Sequence, residues 1–251
     1  MISIFQRSFF SIFGNALKTI LSFFTGVILA RGLGVENYGT FAFLLSSFTI
    51  SRSLLEMGTS SAFFTFISKI NRSKQFFLFY GAWLLFQFSI PIFFILLIAP
   101  ESWIENIWQG QDRVRIILAF IAVFFQQTIW TSITHIGESQ RLTIKVQKIN
   151  ISIAAFHLLA VALLFFIDKL SIESVFFIVA IEFFLAAIFS HQFFKITFLN
   201  KKEDFKKIIK EFKIYCFPLI PFVWISMVSF YANTWFLQKF GGSIEQAYYA
   251  I

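Results

Sequence analysis

The chain has 251 residues, 58% hydrophobic and 14% charged, with 40 phenylalanines and a formal net charge of +8. A water-soluble domain of this length has too little interior to hide that much apolar surface, so a lipid bilayer is the second solvent. A single cysteine, Cys216, excludes an intrachain disulfide and any multi-cysteine metal site.

Residues 75–100 carry no charge for 26 positions and residues 214–238 none for 25, whereas about 20 helical residues cross the hydrocarbon layer. The runs are continuously apolar, without the alternation of a lipid-facing barrel strand, and a helix satisfies its own backbone groups in lipid. Spans are expected at about 9–30, 38–64, 76–99, 115–136, 148–167, 173–194 and 214–237. The first is interrupted by Lys18 and has no small-residue cleavage pattern behind a short core, so it reads as a retained span and not a removed signal peptide. The fold class is all-α: a polytopic transmembrane bundle of about seven spans, a first six-helix bundle plus the start of a second.

The loops orient it. The amino terminus and the loops after spans two, four and six hold Arg7, Lys69, Arg72, Lys74, Arg141, Lys145, Lys148, Lys195, Lys201, Lys202, Lys206, Lys207, Lys210 and Lys213, 14 of the 21 basic residues. The other side holds 5: Arg31, Arg113, Arg115, Lys169 and Lys239. The positive-inside rule then puts the amino terminus of this multi-pass protein in the cytoplasm. The same topology accounts for the positive charge, and no nucleic-acid partner is expected, because the lysines flank membrane spans without a base-reading motif.

Residues 195–213 are lysine-rich, with Phe205, Ile208, Ile209 and Phe212 at near-helical spacing, and read as an amphipathic cytoplasmic linker. The chain divides into a bundle over 1–194, this linker over 195–213, and 214–251 as the first span and outer loop of an incomplete second bundle. A gapless offset of 208 lays Leu29, Arg31, Gly34, Phe41 and Ala42 over Leu237, Lys239, Gly242, Tyr249 and Ala250. Chance matching and an internal repeat of the kind that builds transporters both explain these identities. The end at Ile251, just after the start of an eighth span, reads as a fragment or truncated product.

Charges inside spans are costly and usually face a bundle interior or water. Lys18, Arg52, Glu56 and Glu182 are such residues, with Asn15 on the face of Lys18 and Arg52–Glu56 an i,i+4 pair. In one reading Lys18 and Arg52 give a shared cavity positive potential. In the other Lys18 snorkels to the interface and Arg52 satisfies Glu56. Glu182 is either a carrier of a coupling proton or a neutral acid bonded to a neighbouring helix, the latter favoured. Gln126, Gln127, Thr128 and Thr131 form a polar patch suited to interhelical hydrogen bonds first and cavity lining second. His135, His157 and His191 lack metal-ligand spacing, and no metal is expected. Phosphate-cradling and nucleophile-elbow motifs are missing from the sequence, which argues against an enzyme. Gly32, Gly34 and Gly39 follow no strand and read as a tight interhelical turn.

The run Ala30-Arg31-Gly32-Leu33-Gly34-Val35-Glu36-Asn37-Tyr38-Gly39, with Glu56-Met57-Gly58 after it, resembles the amino-terminal half of Wzx-like polysaccharide-biosynthesis flippases. These belong to the multidrug/oligosaccharidyl-lipid/polysaccharide exporter superfamily. Arg31, Gly34, Tyr38 and Gly39 carry the sharp part of the motif, and Pro218, Pro221, Gly241-Gly242 and Tyr249-Ala250 look like the opening of the second half. Glu56 stands where the family pattern has aspartate, and Ala247 where it has glycine. The resemblance implies two six-helix bundles around a central cavity in the cytoplasmic (inner) membrane, and alternating-access movement of an undecaprenyl-diphosphate-linked oligosaccharide for surface polysaccharide such as lipopolysaccharide or capsule. It implies no cofactor, with a proton or sodium gradient open as the energy source. Its partners would be membrane lipids, the lipid-linked oligosaccharide, and either other polysaccharide-assembly proteins or a second half-transporter chain. Rival readings are a multidrug/cation antiporter of the same superfamily, a membrane glycan polymerase, and a structural subunit.

Overall fold

A computed structural model describes residues 4–250 apart from 191, 195–197, 200 and 201. His191, Lys195 and Lys201, named above, therefore lie outside the described residues. The described chain is helical throughout: α1 (Ile4–Glu56), α2 (Thr59–Lys69), α3 (Lys74–Phe93), α4 (Glu101–Trp108), α5 (Arg113–Val123), α6 (Trp130–Ser139), α7 (Thr143–Phe166), α8 (Ile172–Ser190), α9 (Phe205–Cys216), α10 (Ile220–Phe236) and α11 (Gly242–Ala250). Single π-helical turns extend α3 over Phe94–Ile98, join α5 to α6 over Phe124–Ile129 and extend α10 over Leu237–Gly241.

Six helical runs among the described residues are long and apolar enough to cross a membrane. The first, Arg7–Glu56, has 50 residues, long enough for two crossings. Gly34 interrupts α1 with φ 74° and ψ 165°, a conformation a side chain would strain severely. The neighbours of the two arms fix their directions. Gly14 meets Gln147 and Gly32 meets Phe165, so residues 4–33 run parallel to α7. Beyond Gly34, Phe48 meets Phe120 and Arg52 meets Gln127, so that arm runs parallel to α5. Because α7 returns antiparallel to α6, with Trp130 bonded to Asn150 and Gly137 against Val146, the two arms of α1 are themselves antiparallel. Counting both arms gives the seven passes expected from the sequence. The segment expected to continue unbroken to residue 64 instead breaks at Met57 (φ 48°) and Gly58 (φ 78°), and the connection after α3 contains helix α4.

This alternation gathers the start of α1, the α2–α3 turn, the α6–α7 turn and the start of α9 at one end of the bundle. That end carries the lysine-rich segments. At the other end Arg113 pairs with Glu101 and Arg115 with Glu173, at 2.9 and 2.6 Å. Outward faces of the spanning helices carry phenylalanine and leucine, with Phe166 79% and Leu159 68% exposed, a surface suited to lipid.

Two apolar clusters hold the bundle. The larger joins both arms of α1 to α5 and α8 through Leu29, Phe41, Phe43, Leu44, Phe120 and Phe176. The second fixes the place of the amphipathic helix expected in the linker. Residues 205–216 are α9, whose buried Ile208, Phe212 and Cys216 pack on Phe63, Phe76 and Tyr80 of α2 and α3. The amphipathic helix is thus docked on the first bundle. Its apolar stripe found a protein face because the α2–α3 hairpin offers an aromatic wall, with Phe63 and Tyr80 stacked at 3.9 Å.

Arg72 locks that docking. It is 5% exposed, pairs with Glu203 at 3.0 Å and Glu211 at 2.6 Å, and stands 4.3 Å over the Phe76 ring. The backbone N–H of Ser73 donates to Glu203 at 2.7 Å, and that of Leu199 to the Arg72 carbonyl at 2.9 Å. Partial burial works against charge on Glu203, but the Ser73 hydrogen bonds and the cationic Arg72 and Lys207 outweigh it and hold this carboxyl below its ordinary pKa.

Candidate functional site

Three polar features interrupt the apolar bundle. The first is built on the arm of α1 after Gly34. Arg52 pairs with Glu56 at 3.1 Å and donates to the Gln127 carbonyl at 3.0 Å, while the Gln127 amide donates to Thr49 at 2.9 Å. A regular α-helix would commit the Gln127 carbonyl within its own ladder. The π-helical turn over Phe124–Ile129 loosens that ladder and turns a carbonyl toward Arg52. The network continues at the Met57–Gly58 break: Thr59 donates to the Glu56 carbonyl at 2.6 Å, Trp83 donates to Thr59 at 3.0 Å, and Gln87 donates to the Leu55 carbonyl at 3.0 Å. Tyr80 and Ser132 share a 3.0 Å hydrogen bond beside it. Arg52 and Glu56 are therefore together, as their spacing suggested, and Gln127 joins them.

The second feature lies on the opposite face of the same π-helical turn. Gln126, one residue before Gln127, lines a small cavity with Lys18, Ser22, Trp130, Asn150 and His157. Behind it Glu182, 6% exposed, sits 2.8 Å from His157, and its second carboxylate oxygen has no partner among the described residues. Lys18 lies on the exposed side of α1 next to this cavity, and Asn15 is exposed one turn earlier, its carbonyl accepting from Thr19 at 2.9 Å. Among the described residues Lys18 and Arg52 thus belong to separate polar clusters. Sequence reasoning missed His157 as the partner of Glu182, having weighed the histidines as metal ligands alone. The signal available was one buried acid and one histidine in adjacent spans, and the register between the spans was not readable.

The third feature is the corner. Gly34 and Gly242, superposed by the offset of 208, adopt the same conformation, with φ 74° and ψ 165° against φ 73° and ψ −177°. The corners also touch. A Cβ on Gly39 would fall 1.7 Å from the Ser243 carbonyl oxygen and 3.1 Å from the nitrogen of Ala247, the residue equivalent to Gly39 itself. Thr40 and Ser243 hydroxyls meet at 3.2 Å, and Gln238 donates to Ser243 at 3.0 Å. Glycine at 39 and fully buried alanine at 247 are what this crossing admits. Gly32, expected in the turn, lies instead inside the helix against Phe165 and Leu170. Tyr38 is half-buried beside Phe41, and Arg31 is exposed.

Comparison with known proteins finds no matching family model, no matching curated protein and no matching solved structure. What the fold and sites define directly is a polytopic α-helical membrane protein with buried polar clusters inside its spans.

Proposed function

We propose that the chain forms one bundle of a flippase that moves an undecaprenyl-diphosphate-linked oligosaccharide across the cytoplasmic membrane for surface polysaccharide assembly, without covalent chemistry. The observation that carries this reading is the repeated corner: Gly34 and Gly242 share a backbone conformation rare outside glycine, at equivalent places, and the two copies cross through equivalent residues. Internal repeats that meet across a pseudo-axis are how many transporters make two faces of one pathway. The motif residues Arg31, Gly34, Tyr38 and Gly39 support the same reading.

Physical need is consistent with it. A diphosphate and many hydroxyls cannot cross hydrocarbon without partners, and a cation on a wet face lowers that barrier. Lys18 is the better candidate for that contact. Arg52 is already matched by Glu56 and the Gln127 carbonyl, whereas Lys18 is exposed beside a polar cavity. A second reading, a proton-linked exporter of the same superfamily, is favoured by the buried Glu182 and its 2.8 Å contact with the half-buried His157.

The test uses the full chain in vesicles loaded with a fluorescent polyprenyl-diphosphate oligosaccharide, scored by accessibility to a membrane-impermeant quencher. Wild type is expected to translocate it, and Lys18→Gln to slow it at least about tenfold, the cost of losing one charge contact. A wild-type chain that moves organic cations in exchange for protons but not this lipid would overturn the flippase reading. Equal rates for the two chains would remove Lys18 from the pathway.

A further inference from the structure

Beside α9 an apolar groove of about 780 Å³ opens to the surface, walled by Phe79 and Trp83 of α3, Met57 and Thr59 at the helix break, and Ile209, Phe212 and Cys216 of α9. That volume lies in the range of small-molecule sites. The groove carries one charged lining residue, Lys213.

The charge around the groove is one-sided for a reason visible in the packing. The segment 202–216 contains three acidic residues, Glu203, Asp204 and Glu211. Arg72 takes Glu203 and Glu211, and Asp204 accepts the Lys206 backbone N–H as the cap of α9. Lys202, Lys206, Lys207, Lys210 and Lys213 are all exposed, and none forms an ion pair among the described residues. Lys206, Lys210 and Lys213, at i, i+4 and i+7, form a stripe leading into the groove. The buried arginine, by drawing the acids inward, leaves the outer face of α9 purely cationic.

We propose that this groove is a binding site for an anionic glycerophospholipid, its phosphate on Lys213 and Lys210 and an acyl chain along Phe79, Trp83, Phe212 and Ile209. Charge complementarity selects this occupant. An uncharged lipid would fill the apolar part equally well but leave the lysine stripe unmatched, and a soluble anion would have no use for the groove. The site is independent of the translocation reading, because it concerns a lipid held at the bundle's edge.

Trp83 in the groove wall reports occupancy. The full chain would be placed in phosphatidylcholine vesicles containing increasing fractions of brominated-chain phosphatidylglycerol or brominated-chain phosphatidylcholine, and the Trp83 component taken as the difference between wild type and Trp83→Phe. Quenching of that component is expected to saturate at roughly 25-fold lower fraction for the anionic lipid, from two charge contacts. Lys210→Gln with Lys213→Gln should erase the preference, each lysine contributing about fivefold. Identical curves for the two lipids would overturn the proposal. So would displacement of brominated phosphatidylglycerol by polyprenyl phosphate at tenfold lower fraction, which would assign the groove to that lipid, and so would a Trp83 shielded from both lipids, which would mark an interface with a second copy.

Discussion

Arg72→Ala tests the claim that a buried cation, more than the apolar stripe alone, holds α9 on the bundle. The substitution removes two ion pairs and a ring contact at 4.3 Å, leaving Glu203 and Glu211 facing an aromatic wall. Breaking a fully buried pair costs about 3–5 kcal/mol, but the two carboxylates are 16% and 29% exposed and recover part of their hydration. The ring contact adds about 0.5–1 kcal/mol. A net loss of about 2–4 kcal/mol in α9 docking follows, or about 30- to 900-fold in the population of the undocked helix. The protein supplies its own probe: Cys216, the sole cysteine, is buried on the docked face of α9. Its alkylation rate by a small water-soluble maleimide should rise by that factor in Arg72→Ala, and by less in Arg72→Lys, which keeps the charge but loses the planar fork. An Arg72→Ala protein of native helicity whose Cys216 reacts within twofold of wild type would refute the reasoning.

Acid should act on the same contact. Because the Glu203 carboxyl is held below its unfolded pKa, its contribution is complete above the unfolded value of about 4.3 and fades as pH falls through the lower folded value. Cys216 protection is therefore expected to be flat from pH 8 to about pH 5 and to weaken only below about pH 4, with hydrogen exchange as the readout below pH 5, where maleimide chemistry stalls. Gly34→Ala should destabilise the corner by about 1–3 kcal/mol, since alanine at φ 74°, ψ 165° is strained although nothing crowds its Cβ. The thermal midpoint in detergent would drop accordingly, and an unchanged midpoint would mean that the two arms of α1 can turn without a positive-φ residue.

The bilayer itself made most of the fold readable in sequence. A run of 26 uncharged residues in hydrocarbon has essentially one way to satisfy its backbone, so span number and helical class follow from hydropathy, and the lysine-rich loops sort to one end by alternation. Local chemistry was equally readable at Gly34 and in the i,i+4 pair of Arg52 and Glu56, because both depend on neighbours in the chain. Tertiary structure alone decided the rest. Hydropathy is blind to the rotation and register of one apolar helix against another. It could not show that Gln126 and Gln127 face opposite ways from one π-helical turn, that Lys18 and Arg52 fall in different clusters, or that Glu182 meets His157. Nor could it show that α9 docks on the α2–α3 wall, because an amphipathic stripe fits a lipid interface and an aromatic protein face alike, and the ion pairs that Arg72 makes there join residues some 130 positions apart in sequence.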